Sequence, residues 1–319
     1  MKIVVLDGHG VNPGDMSWTG IEELGELVVF PRTQPNEVVA HVGDAEIALT
    51  NKTEFTSEII SALPNTKYIG VLATGYNVVD IDAASKHNIV VTNIPAYSTD
   101  SVAQMTFAHI LNVTNRVGHY SAEFHDKKWC ECSDFCYWNT PLIEIAGKRL
   151  GIVGLGNIGM KVARIAHDFG MEVSAFTSKD AVALPQWLNK VSLDELFGGS
   201  DFISLHCPLT PSTQELINHS TISKMRKGVV LINTGRGKLV NENDIAVALR
   251  EGQIGAYCAD VMCSEPPSAD NPLLGAKNCF ITPHVAWATM EARARLMKIA
   301  EENIKNFIKG NPINVVNNI

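Results

Sequence analysis

The chain has 319 residues, of which 45% are hydrophobic and 19% are charged. That length corresponds to about two domains of ordinary size, and the apolar fraction is too high for an intrinsically disordered protein. With 26 Lys and Arg against 34 Asp and Glu the net charge is -8, which argues against nucleic acid as a partner, because phosphate neutralisation needs clustered cations. No apolar run approaches the ~20 residues that span a bilayer, so we expect no membrane partner.

The N-terminus and the cysteine content both predict a cytoplasmic protein. The apolar run at 3–6 is too short for the hydrophobic region of a signal peptide and is typical of a buried strand. The seven cysteines are an odd number in a chain too long to depend on disulfides. Cys130, Cys132 and Cys136 crowd together near His125, but their spacings lack the second matching pair of a zinc site. We interpret them as free thiols and predict no metal.

Short apolar runs rich in β-branched residues alternate with helical patterns along nearly the whole chain. Near-continuous apolar runs are typical of parallel strands buried on both faces, and their alternation with helices predicts βαβ units. In the first hundred residues a helix is predicted at Thr56–Ala62, and strands at Ile3–Leu6, Glu46–Thr50, Tyr68–Ala73 and Ile89–Thr92. These strands predict a small parallel sheet.

A second series of elements begins with a long helical pattern at Ser101–Tyr120, for which Asp100 or Ser101 is the expected cap. Helices are predicted at Gly159–Phe169 and Asn243–Arg250. The six predicted strands are Arg149–Val153, Glu172–Phe176, Phe202–Leu205, Val229–Asn233, Gly255–Asp260 and Cys279–Ile281. Six strands with intervening helices predict a complete doubly wound sheet.

The order of these elements predicts two domains. The amphipathic segment Met290–Lys309 follows the second sheet and is expected to pack on the first domain. The first domain would then be discontinuous, with residues 1–98 and 288–319, and the second would comprise 99–287. Residues 121–147 are rich in aromatics and lack periodicity, so they predict an arm or a long connection.

A glycine-rich sequence, Gly154-Leu155-Gly156-Asn157-Ile158-Gly159, directly follows a predicted strand and opens a helix. In that context the G-x-G-x-x-G pattern indicates dinucleotide binding. Gly154 allows the tight turn, Gly156 lets the backbone approach a pyrophosphate, and Gly159 lets helix and strand pack closely. The helix N-terminus offers unpaired N–H groups to the phosphates.

The residues after the next strand bear on the choice between NAD and NADP. An NAD-binding domain is expected to carry a carboxylate there, which accepts hydrogen bonds from ribose hydroxyls. This chain has Thr177, Ser178 and Lys179 instead, which removes repulsion of a 2′-phosphate and offers it a cation. We therefore predict NAD or NADP as the cofactor, with a slight preference for NADP. A solvated Lys179 would instead leave NAD as the cofactor.

Three polar residues lie in turn-like contexts after predicted strands of the second domain. Arg236 lies in Asn-Thr-Gly-Arg-Gly, Glu265 precedes a proline, and His284 follows one. Ligands bind at the carboxyl ends of strands in open α/β sheets, so these loops are expected to converge. Each residue alone is more often structural, but together with the dinucleotide loop they indicate a catalytic site.

The order of the motifs resembles that of the D-isomer-specific 2-hydroxyacid dehydrogenase family. The loop Ala73-Thr74-Gly75-Tyr76-Asn77, the glycine-rich loop and Leu205-His206-Cys207-Pro208-Leu209-Thr210 are followed by the Asn-Thr-Gly-Arg-Gly, Glu-Pro and Pro-His segments. The resemblance covers essentially the full length of the chain. Within the family, Thr50–Thr53 and Asp134–Trp138 look most like glycerate dehydrogenases, also called hydroxypyruvate reductases.

The resemblance implies an α/β fold of two doubly wound parallel-sheet domains, with a Rossmann NAD(P)-binding domain inserted in a discontinuous flavodoxin-like substrate domain. It implies an oxidoreductase that reduces a small 2-keto acid, hydroxypyruvate or glyoxylate, by hydride transfer from NAD(P)H. The product would be the D-2-hydroxy acid, D-glycerate or glycolate. It also implies a homodimer, with 121–147 as the dimerisation arm.

Reduction of a 2-keto acid needs an anchor for the carboxylate and a proton donor at the carbonyl oxygen. Arg236 suits the first role, because guanidinium is permanently charged and matches the geometry of such oxygens. His284 suits the second role, and Glu265 against one ring nitrogen would favour the imidazolium. By resemblance, the N–H groups of the Ala73, Thr74 and Gly75 loop hold the carboxylate from the other domain, and Asp260 binds the nicotinamide carboxamide. The other residues expected to line the cofactor are Thr106, His206, Cys207, Pro208, Thr213, Thr234, Gly235, Arg236, His284 and Ala286.

Other members of the family are alternatives. D-3-phosphoglycerate dehydrogenase often adds a regulatory domain after the last helix, which we do not expect here, and only Lys52 lies in the early loop where a phosphosubstrate needs cations. A phosphite dehydrogenase would have lysine at Thr74, and a formate dehydrogenase would have glutamine in place of Glu265. A non-enzymatic NAD-sensing corepressor of this fold would keep the three catalytic residues but typically carries disordered tails. Another D-2-hydroxyacid dehydrogenase activity is the main alternative.

Overall fold

The computed structural model describes all 319 residues. They divide into two compact units, the first comprising Met1–Ser98 and Trp287–Ile319 and the second Thr99–Ala286. Each unit contains one parallel sheet. The predicted architecture of two parallel-sheet α/β domains is therefore confirmed.

The secondary structure consists of strands and helices in alternation. The strands are β1 (Lys2–Val5), β2 (Glu26–Val29), β3 (Ile47–Thr50), β4 (Tyr68–Val71), β5 (Val90–Thr92), β6 (Arg149–Val153), β7 (Glu172–Phe176), β8 (Leu188–Lys190), β9 (Phe202–Leu205), β10 (Val229–Asn233), β11 (Ile254–Ala259) and β12 (Cys279–Ile281). The α-helices are α1 (Gly8–Val11), α2 (Thr19–Glu22), α3 (Val38–Val42), α4 (Ser57–Ser61), α5 (Ile81–Lys86), α6 (Thr99–Asn115), α7 (Val117–His125), α8 (Asn157–Asp168), α9 (Leu193–Gly199), α10 (His219–Ile222), α11 (Glu242–Glu251) and α12 (Met290–Ile308). Short 3-10 helices lie at Ala181–Ala183 and Gly237–Leu239.

The sheet of the first unit has the order β2-β1-β3-β4-β5, and all of its pairs are parallel. This is the flavodoxin-like order. Apolar clusters cover both faces of the sheet, and one of them includes Leu296, Ala300 and Ile304 of α12. These three side chains are at most 2% exposed, so the C-terminal helix is part of the core of this unit.

The sheet of the second unit has the order β12-β11-β10-β9-β6-β7-β8, again with every pair parallel. This is the Rossmann order, extended by one strand at the β12 edge. The strand order reverses between β6 and β9, and ligands bind at such a reversal, beyond the carboxyl ends of the strands. Helices α6 and α8 cover one face, while α9 and α11 contribute to the cluster on the other.

Two strands and one helix boundary differ from the sequence-based predictions. Strands β2 and β8 were not predicted because both are short edge strands without a continuous buried run: no residue of β2 and only one of the three in β8 is fully buried. The single helix predicted at Ser101–Tyr120 is two helices, α6 and α7, separated by Arg116 with φ +53°. The left-handed region favours glycine and asparagine, so an arginine there carries no sequence signal. Helix α6 begins at Thr99, so Asp100 and Ser101 lie inside its first turn and do not cap it.

Two further findings concern membranes and metals. None of the helices is both long and apolar enough to cross a bilayer. All seven cysteines are free thiols, Cys130 exposed and Cys132 and Cys136 partly buried. No three His, Cys, Asp or Glu side chains are grouped as a metal ion would require.

Candidate active site

The glycine-rich loop joins β6 to α8 at the point where the strand order reverses. Gly154 has φ +94°, and a Cβ atom there would lie 2.6 Å from the backbone nitrogen of Cys207. A Cβ on Gly159 would collide with the Gly154 carbonyl oxygen. Both positions therefore require glycine, because a side chain would push apart the strand ends or lift the helix from the sheet.

The N-terminus of α8 can accept an anion. Gly156 is its N-cap, makes no side-chain cap, and has open space where a Cβ would lie. The backbone N–H groups of Asn157 and Ile158 donate to no acceptor in the protein, and the first turn carries no acidic residue. Unpaired N–H groups and the positive end of the helix dipole bind phosphate, so this loop fits the pyrophosphate of a dinucleotide.

The residues after β7 form the position where an adenosine ribose is expected. The hydroxyl of Thr177 accepts a hydrogen bond of 3.2 Å from the backbone N–H of Lys179. Lys190, the last residue of β8, donates through Nζ to the Lys179 carbonyl oxygen at 2.6 Å. The turn at 177–179 therefore has no carboxylate, and two exposed lysines lie at it. Lys190 could not be predicted to lie here, because the strand that presents it was not recognised.

His206 follows β9 beside the glycine-rich loop. Its Nε2 is 2.8 Å from the Ser204 hydroxyl, whereas its Nδ1 is buried and has no partner in the protein. Burial lowers the pKa of His206 to about 4, so the ring is neutral at pH 7. Next to it, Thr213 donates to the Pro208 carbonyl oxygen at 2.7 Å and holds the following turn. An orphaned ring nitrogen at this edge fits a site whose partner is a bound molecule.

Thr106 and Thr234 bring α6 and the loop after β10 together. Their hydroxyl oxygens are 3.1 Å apart, and the two side chains are 0% and 8% exposed. The same loop carries Arg236, which is exposed and donates through Nη1 to the Gly235 carbonyl oxygen at 2.9 Å. The Asn233 side chain ties the loop by accepting from Gly235 N and donating to Arg236 O.

Gly237 places the Arg236 loop against the loop that follows β11. A Cβ on Gly237 would collide with the backbone of Met262, so only glycine permits this approach. Met262 N in turn donates to Glu265 Oε1 at 2.9 Å. One carboxylate oxygen, Oε1, is therefore anchored on its own loop, and the other, Oε2, faces a second partner.

That partner is His284. Its Nδ1 is 2.6 Å from Glu265 Oε2, and the two side chains are 28% and 35% exposed. The histidine has φ +54°, a conformation that costs a non-glycine residue about 1–3 kcal/mol and persists only where the surroundings enforce it. The contact with Glu265 orients the ring and leaves Nε2 as the nitrogen that can transfer a proton.

Asp260 is the buried residue behind this histidine. It follows β11, is 1% exposed, and accepts hydrogen bonds from Val285 N and Ala286 N at 2.9 and 2.7 Å. The Ala286 carbonyl oxygen accepts a hydrogen bond from the Ser101 hydroxyl of α6. The His284 loop is therefore held on both sides by the sheet edge and by α6.

The Ala73 loop lies in the first unit, after β4. The Thr74 hydroxyl donates to the Ile94 carbonyl oxygen at 2.8 Å, and Asn93 donates through Nδ2 to Thr74 O at 2.8 Å. The backbone N–H groups of Thr74 and Gly75 donate to no acceptor in the protein. A pinned loop with two free N–H groups is suited to binding a carboxylate.

One organising residue of the first unit was missed in the sequence. The carboxylate of Asp7, after β1, accepts from the backbone N–H groups of Asn51, Lys52 and Thr53 at 2.7, 2.5 and 2.9 Å. It therefore fixes the loop after β3, next along the sheet. The only signal in the sequence is an acidic residue directly after the first strand.

The two folds and the cofactor loop define the class of protein as a nicotinamide-dependent oxidoreductase. A family model described as D-isomer specific 2-hydroxyacid dehydrogenase, NAD binding domain, matches residues 107–286. A hydroxypyruvate reductase of Blautia hydrogenotrophica is 48% identical over 99% of this chain and 100% of its own length. A glycerate dehydrogenase of Methylorubrum extorquens is 38% identical, with 88% of each chain covered. The protein belongs to the D-isomer-specific 2-hydroxyacid dehydrogenase family.

A solved structure is similar over the same extent. An acyclic imino acid reductase in complex with NADPH and D-arginine has 30% sequence identity and a TM-score of 0.85, covering 99% of this chain and 100% of that chain. The prediction of the family and of an NAD(P)-dependent enzyme is thus confirmed.

Proposed function

We propose that the protein reduces hydroxypyruvate or glyoxylate to D-glycerate or glycolate. The observation that carries the proposal is the 2.6 Å contact between His284 Nδ1 and Glu265 Oε2, which provides a proton donor held by a carboxylate. The similarity to a hydroxypyruvate reductase and a glycerate dehydrogenase supports the substrate class. The proposed active-site residues are those that the sequence singled out.

In the proposed reaction NAD(P)H, when bound, supplies the hydride that adds to the carbonyl carbon. Arg236 binds the substrate carboxylate and polarises the carbonyl, because its planar guanidinium donates two parallel hydrogen bonds. His284 donates the proton from Nε2 to the carbonyl oxygen as the C=O π electrons move onto it. Glu265 stabilises the imidazolium before transfer, and solvent restores the proton afterwards. We further propose that the N–H groups of Thr74 and Gly75 can bind a carboxylate.

We propose NADP as the preferred cofactor, by a modest margin. The turn at Thr177 has no carboxylate to repel a 2′-phosphate, and Lys179 and Lys190 both lie at it. An exposed ion pair contributes only ~0.2–1 kcal/mol, which corresponds to a severalfold preference. The hydrogen bond from Lys190 Nζ to the Lys179 carbonyl oxygen holds a second cation at this turn.

We also propose a cytoplasmic homodimer. Seven free thiols suit a reducing compartment. Within 121–147, the large side chains of Trp129, Phe135 and Trp138 are 50%, 90% and 68% exposed. Exposed apolar clusters of this kind are typical of protein interfaces, and twofold dimers are the commonest closed oligomers.

The proposed function is tested with a panel of 2-keto acids, assayed with NADH and with NADPH. Hydroxypyruvate and glyoxylate should be reduced with higher kcat/KM than pyruvate or 3-phosphohydroxypyruvate. His284→Ala should lower kcat by ~10²-fold or more, because it removes the proton donor, while the Kd of the cofactor stays nearly the same. His219→Ala, an exposed histidine on α10, is the matched control. Equal turnover by wild type and His284→Ala would contradict the role of His284, and no turnover of either substrate would contradict the substrate class.

A further inference from the structure

The loop that carries His284 depends on a hydroxyl group that the proposed reaction does not use. Thr282 follows β12, and its Oγ1 is 2.5 Å from Asp260 Oδ1. The same oxygen is 3.5 Å from the Ala259 carbonyl oxygen. A hydroxyl has one proton, so the much shorter contact identifies Asp260 as the acceptor.

This hydrogen bond is one of three that converge on the buried carboxylate. Oδ1 accepts from Thr282 and from Val285 N, and Oδ2 accepts from Ala286 N. The two amides belong to the residues directly after His284. The orientation of the Asp260 carboxylate therefore determines where the backbone after the histidine lies, and the Thr282 hydroxyl helps to determine that orientation.

The backbone of His284 needs such support. Its φ of +54° is disfavoured for a β-carbon-bearing residue, and its own N–H donates to the Thr282 carbonyl oxygen at 2.9 Å, which closes a turn of three residues. Thr282 therefore supports His284 in two ways. Its backbone carbonyl oxygen accepts from the His284 N–H, and its hydroxyl, through Asp260, helps to fix the residues that follow His284. Strained conformations at functional sites persist because several contacts enforce them together.

A buried histidine completes the arrangement. His109 of α6 is 5% exposed, and its Nε2 is 3.4 Å from Thr282 Oγ1. Because the single hydroxyl proton of Thr282 is donated to Asp260, the Thr282 oxygen can only accept a hydrogen bond from the His109 ring. His109 therefore lies against the Thr282 hydroxyl from the helix side.

We propose that Thr282 is a positioning residue for catalysis: its hydroxyl orients Asp260, which holds His284 in the left-handed conformation that places Nδ1 on Glu265. The inference rests on the proposed role of His284 as proton donor. In this proposal the hydroxyl of Thr282 takes no part in proton transfer and acts through Asp260.

The test compares Thr282→Val with Thr282→Ser. Valine keeps the shape but removes the donor, whereas serine keeps the donor. We expect Thr282→Val to lower kcat by about tenfold or more, because small displacements of a catalytic group have large effects on rate, with little change in KM for the keto acid. Thr282→Ser should recover most of the loss. Thr282→Ala serves in place of Thr282→Val if the valine variant does not fold.

Thr114→Val is the matched control. Thr114 is a fully buried threonine on α6 whose hydroxyl donates to the Ile110 carbonyl oxygen at 3.0 Å, away from the His284 loop. The Thr114→Val variant measures the effect of the same substitution on folding alone, so we expect its Tm to change and its kcat to stay the same. A fall in kcat of Thr114→Val equal to that of Thr282→Val would overturn the proposal.

A second readout is independent of turnover. The ring resonances of ¹⁵N-labelled histidine, with the His284 signals assigned by their loss in His284→Ala, report its hydrogen bonding. These signals should shift in Thr282→Val and stay in place in Thr282→Ser and Thr114→Val. Unchanged His284 signals together with a kcat within twofold of wild type would refute the positioning role. If wild type turns over no keto acid, the proposed function fails and the His284 signals alone decide.

Discussion

The guanidinium of Arg236 is a permanent positive charge, and its geometry is as relevant as its charge. The Asn233 side chain accepts a hydrogen bond from Gly235 N and donates one to Arg236 O, which fixes the loop that carries this side chain. A planar fork binds both a carboxylate and a carbonyl oxygen, while an ammonium group acts as a point charge. Its shape should therefore be essential.

Arg236→Lys keeps the charge and removes the fork. The expected result is a fall in kcat/KM for keto acids of about tenfold to hundredfold, because a hydrogen bond to a charged group contributes ~1.5–3 kcal/mol. Steady-state kinetics measures it. Arg250→Lys, an exposed arginine in the last turn of α11, should leave kcat/KM unchanged. Wild-type kinetics in Arg236→Lys would place substrate anchoring elsewhere.

The turn at Thr177 is where we expect single residues to set the preference between NADPH and NADH. Thr177→Asp adds an acceptor for ribose hydroxyls and repulsion of a 2′-phosphate, so the ratio of Kd for NADPH to Kd for NADH should rise by tenfold or more. Titration calorimetry of the two cofactors measures the ratio directly.

Lys190→Ala tests the second cation at this turn. It should weaken NADPH binding severalfold and leave NADH binding unchanged, since only NADPH carries the 2′-phosphate. Lys227→Ala removes an exposed lysine elsewhere in the same unit and is the control. A wild-type preference for NADH of tenfold or more would mean that neither lysine contacts a 2′-phosphate.

At the scale of elements, the segment after α6 is organised by a buried carboxylate. Glu123 of α7 is 4% exposed and accepts from Lys128 Nζ, Tyr137 OH and Asn139 Nδ2 at 2.7, 3.0 and 2.8 Å. One side chain thus holds the irregular chain that follows its own helix. The hydrogen bond from Lys128 is the largest cause that lowers the pKa of Glu123 to about 2.

This pKa has a consequence for stability. A group whose pKa is lower in the folded state than in the unfolded state stabilises the fold above its unfolded pKa of about 4.5. The contribution is lost as the pH falls from about 4.5 towards 2. The Tm difference between wild type and Glu123→Gln should therefore be constant above pH 5 and should shrink as the solution is acidified. Glu131→Gln, an exposed glutamate of the same segment, should behave as wild type at every pH, and a pH-independent difference for Glu123→Gln would contradict the charge-based explanation.

At the scale of the whole molecule, the expected assembly is a dimer formed through 121–147. Phe135→Ser with Trp138→Ser removes two exposed aromatic side chains from that segment and should yield monomers, since apolar contacts drive association. Light scattering coupled to size-exclusion chromatography measures the mass. Val182→Ser, which removes a 96% exposed side chain outside the segment, should remain dimeric. A monomeric mass for wild type at micromolar concentration would rule out the arm.

The family, the two parallel sheets and the candidate residues of the site could be predicted from the amino-acid sequence. Buried parallel strands read as continuous apolar runs, and the glycine-rich turn has a fixed spacing because backbone geometry demands it. Arg236, Glu265 and His284 could be singled out because each follows a predicted strand. These signals are local, so each can be recognised in the sequence without knowing which elements pack against one another.

Only the tertiary structure decided which side chains support the site. The contacts of Thr282 with Asp260 and His109, and of Lys190 with Lys179, join residues that lie far apart along the chain. The order of the strands in the sheet brings these residues together, and the apolar pattern of a single strand does not reveal that order. The left-handed backbone of Arg116 and His284 has the same origin. Neither residue favours that conformation, so the surrounding hydrogen bonds and packing impose it.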